Sequence, residues 1–295
     1  MTNQTGALLM VLAMAGFALE DMVIKLMAGS LPVGQILLIV GAGGALVFSA
    51  ILRARGQRVL TADILSPAVV ARNVSEIVGT CGYVLALALI PISLASTILQ
   101  AVPLIVTLAS ALLLGERVGW RRWAAIGVGF LGVLLVLRPG MEGFRPESLL
   151  ALLGAVGLAA RDVAARRVPA RVSSMHLSTW AFAALVPLGA VLLWVEGGPV
   201  TMAPLDIMRA AFVIATGVVA YWLIVAASRA GDVSFVAPFR YTRILFALAV
   251  GYVVFAERPD ALTLVGAAII VGSGVYTLWR EARVRRASPK DAAAL

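Results

Sequence analysis

Residues Ile90–Pro139 read IPISLASTILQAVPLIVTLASALLLGERVGWRRWAAIGVGFLGVLLVLRP, and Gly231–Arg280 begins GDVSFVAPFRYTRILFALAVGYVVFAERPD. Each stretch holds two apolar runs around a short charged link. A bilayer-spanning helix needs about 20 mostly apolar residues, at 1.5 Å rise across a core of about 30 Å, and each run meets that length. The two stretches lie 141 residues apart, and the same offset carries on outside them. Leu8-Leu9 falls on Leu149-Leu150, Gly16 on Gly157, Ala18 on Ala159, Asp21 on Asp162 and Lys25 on Arg166. Ser93 falls on Ser234, Leu104 on Leu245, and Glu116-Arg117 on Glu257-Arg258. Acids, bases and glycines that coincide over about a hundred positions mark an internal repeat, which shared hydrophobicity alone would not produce.

The whole chain has the composition those runs imply. Of 295 residues, 61% are hydrophobic and 13% charged, whereas soluble domains average about 45–50% and about 25%. One cysteine, Cys81, and one histidine, His176, exclude a disulfide scaffold and His/Cys metal sites. There is no P-loop, no G-x-S-x-G and no cluster of His, Asp or Ser that would suit a nucleophile. No metal or cofactor is therefore expected, and nothing here would harness nucleotide hydrolysis. Apolar windows between charges and Pro/Gly clusters predict ten helices, near 6–28, 33–52, 67–90, 93–114, 120–138, 147–165, 176–195, 207–228, 233–256 and 260–279. Five helices per half is an odd number, so the second half must enter the bilayer upside down. The predicted fold is an all-α integral membrane protein of ten transmembrane helices in two inverted five-helix repeats, 1–140 and 141–280, with a basic tail at 281–295. Inverted repeats are the architecture of alternating-access transporters, whose site lies near the midplane between the halves.

Orientation follows from the basic residues. With the N-terminus inside, the inner loops and tail hold fifteen Lys and Arg against three (Arg138, Arg145 and Arg258) outside. Both termini are thus predicted to be cytoplasmic, with the loop Glu196–Asp206 outside. The same asymmetry accounts for most of the formal charge of +9, so no nucleic-acid partner is expected. The expected partners are the lipid bilayer and a small-molecule substrate, and the chain is read as a monomer or a dimer.

The two quoted stretches resemble the EamA domain of the drug/metabolite transporter superfamily, and the chain is similar to two tandem EamA units. The Gly115-Glu116 step and the glycine-rich helix after it carry the resemblance; the second copy departs with Ala256 before Glu257. Membership implies ten helices, a plasma-membrane location and secondary transport of small organic solutes. PFRYTR and ERPD look most like the bacterial branch that includes riboflavin and S-adenosylmethionine carriers. The substrates so implied are riboflavin, S-adenosylmethionine and amino acids.

Ionisable residues within spans are functional candidates by default. At 1.5 Å per residue, Arg240 lies about 10 Å and Arg243 about 15 Å into span nine, next to Pro238, and Glu76 lies about 14 Å into span three. Arg240 and Arg243 share a helical face and suggest a carboxylate or phosphate on the solute. Glu76 is the expected counter-charge, pairing with Arg243 across an empty cavity or carrying a coupling proton; the plain alternative is an i,i+4 pair with Arg72. Gln100 leads a polar stripe with Ser96, Pro103 and Thr107 on span four, and Tyr241 occupies its repeat position. Tyr83, Tyr241 and Trp222 are candidate stacking partners for a ring or cation. The repeat-related pairs Asp21/Lys25 and Asp162/Arg166 are expected to be gate or structural ion pairs. A transporter has two rivals. A membrane-embedded enzyme needs a nucleophile or metal cluster near an interface, and a non-transporting scaffold or channel gives Glu76 and Arg243 no reason to lie so deep.

Overall fold

The computed structural model describes residues 2–113, 115, 119–230 and 233–287. Among them every regular element is helical: α1 (Asn3–Ala28), α2 (Val33–Ala54), α3 (Pro67–Leu89), α4 (Ile92–Leu99), α5 (Val102–Leu113), α6 (Trp120–Leu137), α7 (Ser148–Ala165), α8 (Ser174–Val195), α9 (Pro204–Ala230), α10 (Val233–Val236), α11 (Thr242–Phe255) and α12 (Ala261–Ala287), with two short 3-10 turns. These elements form the ten expected crossings, α4–α5 being the fourth and α10–α11 the ninth. Among the described residues nine crossings are long and apolar enough to span a membrane. The tenth is α3, whose apolar run is diluted by Arg72, Asn73 and Glu76.

The fourth and ninth crossings are broken, and the breaks are repeat mates. Span four divides at Gln100 and Ala101, because Pro103 has no N–H to give the Leu99 carbonyl. Span nine passes through a 3-10 turn, Ala237–Tyr241, that contains Pro238. An offset of 141 carries Gln100 onto Tyr241. Repeat-related interruptions of this kind mark the substrate region in transporters built from inverted repeats.

Packing crosses between the halves. Helix α1 packs on α9, α3 on α7, α2 on α8 and α6 on α12, while α5 meets α7 and α11 meets α1. Exchanging each helix for its repeat mate (α1 with α7, α3 with α9, α5 with α11) maps this pattern onto itself. That is the signature of a two-fold relation, and five crossings per repeat put its axis in the membrane plane. Two of the crossings depend on glycine. A Cβ on Gly157 would stand 2.4 Å from the Gly79 amide nitrogen, and one on Gly189 2.5 Å from that of Leu38.

The links fall on two faces. The terminal face carries the N-terminus and the 55–66 and 166–173 links, where Arg171 donates through Nε to Asp63 at 2.9 Å and Trp180 donates to the Val59 carbonyl at 2.9 Å. On the opposite face an apolar core that includes Met27, Ile36, Leu87, Ile92 and Ile98 closes the molecule. Charged side chains clamp that closure. Glu257 accepts from the amides of Ile92 and Ser93 at 2.7 and 3.0 Å and from the Ser93 hydroxyl at 2.6 Å. It thereby satisfies N–H groups that a helix start leaves unpaired. Lys25 donates to the Leu87 and Ile90 carbonyls at 2.8 and 2.6 Å, the matching orphans at the end of α3. Glu196 caps α2 at Val33 and Gly34, and Arg138 pairs with Asp260. Of the repeat pair Glu116-Arg117 and Glu257-Arg258, the first lies outside the described residues, as do Ser234 as a side chain and the tail from 288 on.

Candidate functional site

A cavity of about 550 Å³ occupies the half of the bundle toward the terminal face. Its wall comes from both repeats: Met14 and Phe17 of α1, Arg72 of α3, Leu99, Gln100, Val102 and Pro103 at the break of span four, Arg161 and Asp162 of α7, Tyr221 and Ile224 of α9, and Arg240 and Arg243 of span nine. Four arginines in one membrane-embedded cavity demand counter-charges, because an unpaired charge at that depth is expensive.

Three of them have one. Arg243 donates from Nη2 and Nε to a single oxygen of Asp21, at 2.7 and 3.2 Å. The same oxygen accepts the Tyr83 hydroxyl at 2.9 Å, and Ser96 lies 3.2 Å from that hydroxyl. The guanidinium also rests between the rings of Phe17 and Tyr83, at 5.4 and 5.5 Å from their centroids. The second cluster is centred on Glu76. One of its oxygens takes Arg72 at 2.7 Å; the other takes Arg161 at 3.1 Å and the Thr80 hydroxyl at 3.4 Å. Arg161 turns its other edge to Asp162 at 2.8 Å.

These pairings correct the sequence expectation. Arg243 is matched by Asp21, not Glu76, because α11 lies along α1 while α3 packs on α7 and delivers Glu76 to Arg161. Asp21 and Lys25 are not a pair: Lys25 serves the carbonyls at the end of α3. Asp162 is held by its neighbour Arg161, in the place expected for Arg166. The i,i+4 alternative for Arg72 and Glu76 is present, extended into a three-residue network.

The remaining candidates divide. Arg240 and Gln100 line the cavity together. Arg240 is exposed to it, and the Gln100 Nε2, in a residue only 7% exposed, has no hydrogen-bond partner. Tyr83 stands one layer back as the brace of Asp21. Tyr241, 4% exposed, turns away from the cavity and sets its hydroxyl against Gly274 of α12. Trp222 is 57% exposed and is not part of the wall; its neighbour Tyr221 is, donating to the Ser174 carbonyl at 3.1 Å. The sequence reading missed Arg161 and Phe17 as wall residues and Asp21 as the partner of Arg243. A charged residue within span six was visible at Arg161, but nothing in the sequence aimed Asp21 at span nine.

Comparison with known proteins follows the same division into halves. A model described as the EamA-like transporter family matches residues 4–138 and again 145–279. The chain is similar to an S-adenosylmethionine uptake transporter of Rickettsia prowazekii, at 25% identity over 72% of this chain and 71% of the relative. It is 29% identical to a riboflavin transporter of Rhizobium johnstonii over 73% of this chain and 71% of that one. It is likewise 29% identical to a pseudopaline exporter of Pseudomonas aeruginosa, over 91% of this chain and 94% of the relative. A solved crystal structure superposes with a TM-score of 0.61 at 23% identity, covering 90% of this chain and 97% of that one, which speaks to the fold.

Proposed function

This chain belongs to the EamA-like transporter family, a multi-pass membrane transporter and not an enzyme, and on that premise we propose that it works by alternating access as a secondary transporter of the plasma membrane. The solute is a small polar or amphiphilic organic metabolite, the class to which the substrates named for its relatives belong. A proton or another ion gradient supplies the energy. The observation that carries this reading is the cavity. Both repeats contribute to its wall, both broken crossings open onto it, and its far end is sealed by the clamped core of the opposite face.

The fifteen-to-three excess of Lys and Arg supports cytoplasmic termini. The cavity then faces the cytoplasm, and Arg240, Gln100 and Arg243 meet the solute at its floor. Transport requires the repeats to rock about the two-fold axis. The Glu257, Lys25 and Glu196 clamps must then release while the terminal face closes. Arg243 and Asp21 lie between cavity and seal, where a change in their pairing reaches both.

Counterflow in proteoliposomes tests the reading. The purified full-length chain should drive saturable exchange of at least one of S-adenosylmethionine, riboflavin, an amino acid or a small organic acid, and Gln100→Leu combined with Arg240→Leu should abolish it. Absence of flux for the whole set, or flux indifferent to the double substitution, would remove the cavity from the mechanism.

A further inference from the structure

The charges of the cavity do not balance, and the residue left over specifies the solute. Four arginines line the wall, and three carboxylates (Asp21, Glu76 and Asp162) pair with Arg243, with Arg72 and Arg161, and with Arg161 again. Four less three leaves one positive charge. The surplus is Arg240, which is exposed to the cavity and has no carboxylate within ion-pair distance among the described residues; Asp162, which acts on it from farther off, is held by Arg161. Glu20, beside Asp21 in sequence, interacts with Asp21 and Arg243 and not with Arg240: its carboxylate lies against Gly217 of α9, outside the lining. On the same wall Gln100 holds a buried amide donor with no acceptor among the described residues. Buried donors are seldom left without a partner, so an orphan on a residue that lines a cavity marks where a turn of the side chain can meet an acceptor.

We infer that the transported solute is a monoanion whose carboxylate docks between the Arg240 guanidinium and the Gln100 amide; this rests on the transporter reading above. The guanidinium is a planar fork of donors that matches a carboxylate edge, and the Gln100 amide adds a third donor from the other repeat. Around them Phe17, Leu99, Leu158, Ile224 and Val225 offer an apolar body site. The volume falls within the range of small-molecule sites, about 300–1,000 Å³. A net cation such as S-adenosylmethionine meets a surplus of its own sign here, and neutral riboflavin leaves Arg240 unanswered. The substrates named for two of the relatives therefore fit this cavity less well than an acid does.

Three probes on one phenylpropyl frame test the charge: 3-phenylpropionate (anion), 3-phenylpropionamide (neutral) and 3-phenylpropylamine (cation), each titrated against thermal unfolding of the purified full-length protein. The anion should stabilise at concentrations at least tenfold below either of the others. Arg240→Gln should erase that preference, Arg240→Lys should keep part of it, and Gln100→Leu should weaken the anion several-fold. The wild-type ranking needs no variant, and Arg240→Lys guards against a folding defect in Arg240→Gln. Equal or better stabilisation by the cation overturns the inference, as does no stabilisation by the anion, or an anion preference that survives Arg240→Gln. Failure of the transport reading looks different. Anion binding without flux of any solute would sink transport alone, whereas S-adenosylmethionine flux untouched by Arg240→Gln would sink the charge assignment alone.

Discussion

Replacing Arg243 with alanine strips Asp21 of its counter-charge inside the bundle. The two side chains are 18% and 5% exposed, and three donors, two from Arg243 and one from Tyr83, converge on one Asp21 oxygen. After the change only the Tyr83 hydroxyl at 2.9 Å remains. Removing one partner of a buried pair costs about 3–5 kcal/mol, since the other charge stays uncompensated. Tyr83 and the adjoining cavity soften this, which puts Arg243→Ala at the lower end, about 3 kcal/mol. Asp21→Asn should cost a similar amount by stranding the guanidinium. The double variant Asp21→Asn/Arg243→Ala strands no charge, so its loss should fall short of the sum by about 2 kcal/mol, well beyond the additivity expected of independent sites. Unfolding in detergent micelles, followed by the fluorescence of the six tryptophans, measures all three. Losses that add to within about 0.5 kcal/mol would refute the pairing. So would rescue of Arg243→Ala by Glu76→Gln with none by Asp21→Asn, since that would restore the partner expected from sequence alone.

Glu257→Gln should loosen the opposite face, because a neutral amide cannot accept from Ile92, Ser93 and the Ser93 hydroxyl as the carboxylate does. In a Cys81→Ser background, a cysteine at buried Ser96 should then react several-fold faster with an impermeant maleimide added outside; an unchanged rate would deny Glu257 a role in the seal. Gly157→Val should prevent assembly of α3 on α7, since even a Cβ would stand 2.4 Å from the Gly79 backbone, and size-exclusion chromatography should show aggregation. A monodisperse valine variant would mean the helices can separate freely. Asp260, in the link before α12, has its carboxyl held down to about 2 by the hydrogen bond from Arg138 and the Thr263 amide. A lowered value means that this link's stabilisation is complete above the ordinary carboxylate range, near pH 4, and is lost as pH falls toward 2. Asp260→Asn should therefore shift thermal stability equally at pH 5 and pH 8, and a shift confined to pH 8 would contradict the pairing. An impermeant thiol reagent applied to intact cells should label a cysteine at position 198 and spare one at position 290; the reverse would overturn the orientation.

Run length, repeat offset and charge asymmetry belong to the chain itself, and they determined the ten crossings, their inverted duplication and the membrane environment before any contact was known. A stretch such as Trp120–Leu137 has too little polar surface to be anything but buried in protein or lipid, whatever packs beside it. The depth of Arg240, Arg243, Glu76 and Gln100 was legible for the same reason, because rise per residue converts position into depth. Direction around the helix axis was not. Arg243 and Glu76 share a depth, yet α1 stands beside α11 and α7 beside α3, so Asp21 and Arg161 became the partners. Tyr241 and Trp222 were lost from the wall the same way, one turned onto Gly274 of α12 and the other out of the bundle. Depth is a property of one helix and can be counted along its sequence. Pairing is a property of two helices that approach across the repeat boundary, and only their packing decided which charges met and that Arg240 made no ion pair among the described residues.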